Sequence, residues 1–194
     1  MIRAKPLALL AVAILGCDSA SAPDDDLPES SFSYEAFGEV SGSHAGRGFV
    51  MPVAPAGFVS VNPQTGARTE FPVTPIVLAD SSSLSAPQLY IGVLGDARVG
   101  TYGVVLGGTQ AHFYADFSVP RAGDITRRFA ITAGTLTITR VTSSGIAGHF
   151  AFESRVYFDW PRNAEPGSSV TGVPTTQSLT GSFVARRWGV TTIY

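Results

Sequence analysis

The stretch His112-Phe113-Tyr114-Ala115-Asp116-Phe117-Ser118-Val119 decides the fold. Phe113, Ala115, Phe117 and Val119 share one parity, and His112, Tyr114, Asp116 and Ser118 take the other. Successive side chains of a strand point to opposite faces, so this is a strand with one apolar and one polar face. The same alternation runs outward in both directions. It holds at Leu89, Ile91 and Val93, and at Leu136 and Ile138 against Thr135, Thr137 and Thr139. It holds again at Phe150 and Phe152, continued in step by Val156 and Phe158, and at Leu179, Phe183 and Ala185. No window carries a sustained helical period with caps.

Turn chemistry separates these runs. Asn62-Pro63-Gln64-Thr65-Gly66 supplies a fixed φ and then a residue free to take a positive one. Gly95-Asp96-Ala97-Arg98 and Thr142-Ser143-Ser144-Gly145 read as hairpin loops, as do Gly107-Gly108 and Pro120-Arg121-Ala122-Gly123-Asp124. Roughly eight to eleven strands follow, which predicts an all-β chain folded as a single antiparallel β-sandwich or calycin-like barrel. Residues 161–176, rich in Pro, Gly, Ser and Thr, read as a long loop.

Within the alternating region lie Gly134-Thr135-Leu136-Thr137-Ile138-Thr139, then Gly148-His149-Phe150-Ala151-Phe152, then Gly181-Ser182-Phe183. This G-x-L-x-I-T, G-x-F-x-F, G-x-F order resembles a pattern of uncharacterised bacterial lipoproteins, over residues 127–187. The resemblance implies a β-fold and an envelope location, and it supplies no mechanism. Physically, a glycine in a strand permits strong twist or the close approach of a neighbouring ring.

The N-terminus agrees with that location. Arg3 and Lys5 precede an apolar run from Leu7 to Leu15, then Gly16 and Cys17. A basic start, a short apolar segment and a small residue at the cut site are the parts of a secretory signal peptide, and the run is too short to span a bilayer. Ile14-Leu15-Gly16-Cys17 resembles the bacterial lipobox, in which the peptidase cuts before a cysteine that already carries diacylglycerol. Leu15 departs mildly from the commonest form. Cys17 is the only cysteine of the 194 residues, so it forms no intramolecular disulfide, and lipidation explains a lone thiol in an exported chain. The expected organisation is a signal peptide over 1–16, a lipidated Cys17 with a disordered acidic tether over 17–31, and an all-β domain over 32–194. The tether sequence DSASAPDDDLPESS is too polar to offset the entropy of ordering. The resemblance implies export and lipid anchoring, with palmitate among the acyl groups, on the periplasmic side or the cell surface.

Charge narrows the partners. The chain has 13 basic and 15 acidic residues. Loss of Arg3 and Lys5 with the leader leaves 11 against 15, a net −4. A weakly acidic domain offers no basic face for nucleic acid. Lys5 is the only lysine, which removes Schiff-base chemistry from the mature chain.

The chemical inventory is thin. His44, His112 and His149 show no paired metal spacing, there is no second cysteine, and no cofactor is expected. Neither G-x-S-x-G, S-x-x-K nor a phosphate loop is present. Glu153 and Asp159 share a parity but lie about 20 Å apart along an extended strand, too far for paired-carboxylate chemistry. The candidate binding residues are His44, in the glycine-rich loop Gly42–Gly48, His112 and Tyr114 on the polar face of one strand, and Trp160 at the start of the long loop. The reading that follows is a membrane-anchored envelope lipoprotein, not an enzyme, that binds a protein or small molecule. Its alternatives are a carrier with an apolar barrel interior, an envelope hydrolase, and a small outer-membrane barrel suggested by Trp188, Val190, Thr192 and Tyr194.

Overall fold

The structure, a computed structural model, describes residues 27–61, 64–79, 86–104, 112–161 and 170–188. Among them the chain forms eleven strands: β1 (Ser31–Gly38), β2 (Gly42–Val50), β3 (Ala54–Val61), β4 (Arg68–Ala79), β5 (Gln88–Leu94), β6 (Gly100–Val104), β7 (His112–Arg121), β8 (Ile125–Ala130), β9 (Ala133–Val141), β10 (Gly145–Pro161) and β11 (Val173–Arg187). The fold is all-β, as the alternation requires.

All eleven strands belong to one sheet that closes on itself. Pairing runs β2–β4–β5–β7–β6–β9–β10–β11 and returns to β2. β1 is wedged between β2 and β11, and β8 between β7 and β10, so the ring is branched rather than a regular barrel. The sheet is mixed, where an antiparallel one was expected. β2 and β11 both run antiparallel to β1, so they are parallel where they meet beyond its start, Gly48–Val50 against Ala185–Arg187. β8 and β9 follow one another along β10. Their respective partners β7 and β6 therefore also meet in parallel, at His112–Phe113 and Gly103–Val104.

Three other expectations change. Gly42–Gly48 is strand β2, not a loop. Residues 173–176 of the expected long loop belong to β11, and Trp160 lies within β10. β10 slips its register between Ser154 and Val156. Phe150, Phe152 and Ser154 are buried in step, but beyond the slip it is Tyr157 that packs on the interior. Val156 and Phe158 turn outward beneath Gly172. An extra residue in one strand reverses which face every later side chain meets.

The interior is a column of rings. Phe113 stacks on Phe152 at 4.9 Å, Phe152 on Phe150 at 4.7 Å, and Phe117 on Phe129 at 5.6 Å. Ile76, Leu78, Leu89, Ile91, Leu136, Ile138, Ile146 and Leu179 are fully buried around them. Each such side chain contributes about 1.5–3 kcal/mol on burial. Outside, β9 and β10 present Thr135, Thr139, His149 and Glu153 to solvent. Rings inside and polar groups outside is the reverse of the pattern on a barrel wall that meets lipid.

The ring has two distinct ends. At one, β2 and β11 finish together, with the Trp188 amide donating to the Val50 carbonyl and the Arg187 amide to that of Ser144. Leu27 is buried at this end, its carbonyl accepting from the Arg186 guanidinium, and the Ser30 hydroxyl bridges to the Gly48 backbone. The last residues of the expected tether are thus bound to the barrel. We call this the tether end. The turns β1–β2 and β7–β8, and the strand ends Ala79, Gln88, Pro161 and Val173, lie at the far end.

Candidate functional site at the far end

The far end is closed by the β1–β2 turn. Val40 in this turn packs on the interior cluster, and the fully buried Gln177 side chain clasps it. The amide oxygen of Gln177 accepts from the Val40 N–H at 2.9 Å, and its nitrogen donates to the Val40 carbonyl at 2.8 Å. Next to it Glu39 bridges to Arg127 and, at 3.4 Å, to Arg121. Arg127 donates to both oxygens of Asp159, at 2.8 and 2.7 Å, and its guanidinium lies 3.8 Å from the centre of the Tyr157 ring. The guanidinium holds the Asp159 carboxyl below its ordinary range, and that carboxylate raises Arg127 further. With two carboxylates and one ring engaged, Arg127 fixes the turn and has little left to offer an anion. The register slip in β10 explains why Asp159 is there. Glu153 faces outward, while Asp159 lies beyond the slip on the side of Tyr157. The two carboxylates therefore do not share a face as expected.

Below the turn, β1 and β2 pair Tyr34 with His44. Both side chains point inward. The His44 ring lies 4.9 Å from Tyr34 and 6.2 Å from Phe117. The Tyr34 hydroxyl and His44 Nε2 are buried, and neither has a hydrogen-bond partner among the described residues. Burial raises the Tyr34 hydroxyl well above its ordinary range. Burial also lowers His44, against a smaller opposite pull from Glu35. A cavity of about 150 Å³ lies beside this pair, lined by Phe32, Ser43, His44, Ala45, Ala86 and Pro87. Among the described residues β2 pairs with β4 over Arg47–Val50, and Ser43–Ala45 face Ala86 and Pro87 across this cavity.

The structure divides the sequence-derived candidates among separate places. His44 is an inward residue of the far end, where its neighbouring glycines had suggested a surface loop. Tyr114 is on the outer wall and serves packing there. Its ring fills the space above Gly92, its hydroxyl meets that of Tyr90 at 3.2 Å and the Gly57 carbonyl at 3.3 Å, and Phe58 packs beside it at 5.6 Å. These contacts fold the β3–β4 hairpin onto the wall and bury Val73 on the outward parity of β4. His112 is on the same outer face, its Nδ1 buried without a partner among the described residues. Trp160 is on β10 at the far end, opposite Thr126 of β8. Cys17, the lipidation candidate, lies outside the described residues. Tyr34, Glu39, Arg127, Asp159 and Gln177, which organise the far end, were not candidates. Of these, Asp159 drew notice in the sequence, as one of two carboxylates too far apart for paired chemistry.

Among the described residues no group of three or more His, Cys, Asp or Glu could hold a metal, and no helix is long and apolar enough to cross a membrane. Compared with family models, with curated proteins and with solved structures, the chain matches none.

Proposed function

We propose that the chain is a lipid-anchored envelope lipoprotein whose β-barrel acts as a binding or interaction module, presenting its far end to a partner. The observation that carries this reading is the Ile14-Leu15-Gly16-Cys17 sequence behind a basic and apolar leader, with Cys17 as the sole cysteine. The entry of the chain at the opposite end supports the choice of the far end. So does the cluster of His44, Tyr34 and the 150 Å³ cavity there. The filled interior weighs against carriage of an apolar ligand within the barrel, because a stack of rings occupies the space a ligand would need. The hydrolase alternative requires a base, a nucleophile and an orienting acid within hydrogen-bond reach, and no hydrogen bond joins His44 to a serine or carboxylate among the described residues.

Two or more acyl chains hold a protein stably on a bilayer, at about 0.8 kcal/mol per buried methylene. Cys17→Ser is therefore expected to abolish labelling by radioactive palmitate and to move the chain from the membrane to the soluble fraction, or to leave it uncleaved. Undiminished labelling and membrane partition of that variant would contradict the reading.

A further inference from the structure

The tether end has a surface chemistry of its own. Trp188 is 54% exposed there, with Met51 and Val53 at 37% and 41% just beyond β2, and Val99 at 65% in the β5–β6 turn. The Trp188 ring stands edge-on to Phe49 at 5.2 Å, and its backbone is bonded to Val50, so the indole is fixed at the rim. Exposed Arg98 and Arg187 flank these residues. The far end, by contrast, is an ion network, although Phe37 and Val173 are exposed near it.

The path of the chain says what meets this rim. Leu27 is held at the tether end, and only nine residues separate it from Cys17. Those residues reach about 33–36 Å at full extension. Given the lipid anchor proposed above, on which this inference rests, the rim is confined close to the bilayer. There even a weak attraction acts at an effective concentration in the millimolar range. Tryptophan settles at the headgroup level, where an apolar ring and a polar N–H are both satisfied, and arginine flanks it with its charge toward anionic lipid.

We propose that the tether end of the barrel docks on the bilayer surface, with Trp188, Met51, Val53 and Val99 at headgroup depth, and that this orients the far end away from the membrane. The anchor thus does more than limit diffusion, since the barrel stands on the membrane in one orientation.

The two tryptophans of the chain lie at opposite ends, which provides the test. Full-length lipidated protein is reconstituted into phosphatidylethanolamine–phosphatidylglycerol vesicles containing brominated acyl chains. Trp160→Phe reports on Trp188 alone, and Trp188→Phe on Trp160 alone. Matching urea midpoints confirm that both variants are folded. The expected result is a roughly twofold loss of Trp188 emission with a blue shift, and Trp160 emission unchanged. Protein that floats with the vesicles while Trp188 stays unquenched, or while Trp160 is quenched as strongly, overturns the docking and leaves the anchor standing. A blue shift of Trp188 that follows protein concentration instead of bromine content means that copies of the chain pair at this rim, and also overturns it. Protein that fails to float removes the anchor, and the docking falls with it.

Discussion

Tyr34 and His44 place two buried polar groups without a hydrogen-bond partner among the described residues in a largely apolar interior, and of the two only histidine ordinarily titrates near neutrality. Its folded pKa is lowered, chiefly by burial. The unfolded chain, with a histidine near about 6.5, therefore takes up the proton first. Stability is unaffected above that value and falls as pH drops from it toward the folded pKa. The expected outcome is an imidazole titration by NMR with a midpoint below the ordinary histidine range. Replacement by His44→Phe should flatten the melting temperature as pH falls below about 6.5. Asp159 acts in a lower window, because its pKa is lowered from the carboxylate range and its contribution is lost only as pH falls through that lowered value. A His44 midpoint at or above the ordinary value would refute the inward placement. This placement was unreadable in the sequence. Three glycines in Gly42–Gly48 weaken strand propensity, and it is the ladders to β1, β11 and β4 that hold the segment extended. One of those glycines packs closely there, since a Cβ at Gly48 would lie 3.0 Å from Leu78 and 3.2 Å from Ala185.

The elements were far more readable. Apolar and polar parity in Phe113–Val119, Leu89–Val93 and Leu136–Thr139 gives the correct faces, because one residue of error would bury the wrong set. Where reading fails, a local irregularity intervenes. The slip at Ser154–Val156 is invisible in the composition, since Ser154 satisfies its own hydroxyl by donating to the Val156 carbonyl at 2.8 Å. The strand glycines carry more information than their ordinary role suggests. Gly148 sits with the Phe183 ring 3.1 Å from where a Cβ would be and the Thr137 carbonyl at 2.4 Å, and Gly181 has Tyr34 and the Ser33 carbonyl at 2.4 Å. At Gly148 the glycine thus admits the Phe183 ring from the neighbouring strand, whereas Gly181 admits the backbone and Cβ of β1. Gly148→Ala is expected to cost about 1–3 kcal/mol by overpacking. Gly103→Ala, whose nearest neighbour would be 4.0 Å away, should cost well under that on urea denaturation. Equal losses at the two positions would remove the ring-contact account.

At the scale of the whole molecule, the alternation points to the all-β class and to roughly eight to eleven strands, and leaves closure open between a sandwich and a barrel. Closure depends on β11 meeting β1 and β2, contacts between residues far apart in the chain that no local pattern encodes. It creates the two ends, and the ends give the account its direction: the chain enters at Leu27 beside Trp188, while the Glu39–Arg127–Asp159 network and the His44 cavity lie opposite. In the proposed reading, that direction acquires its meaning from a lipid on Cys17. The most direct test is intact-mass and N-terminal peptide analysis of the protein extracted from bacterial membranes with detergent. The account predicts a chain that begins at Cys17 and carries the mass of a diacylglyceryl group, with or without a further acyl chain, on that residue. A chain that begins at any other residue, or at Cys17 with no added lipid mass, would contradict it.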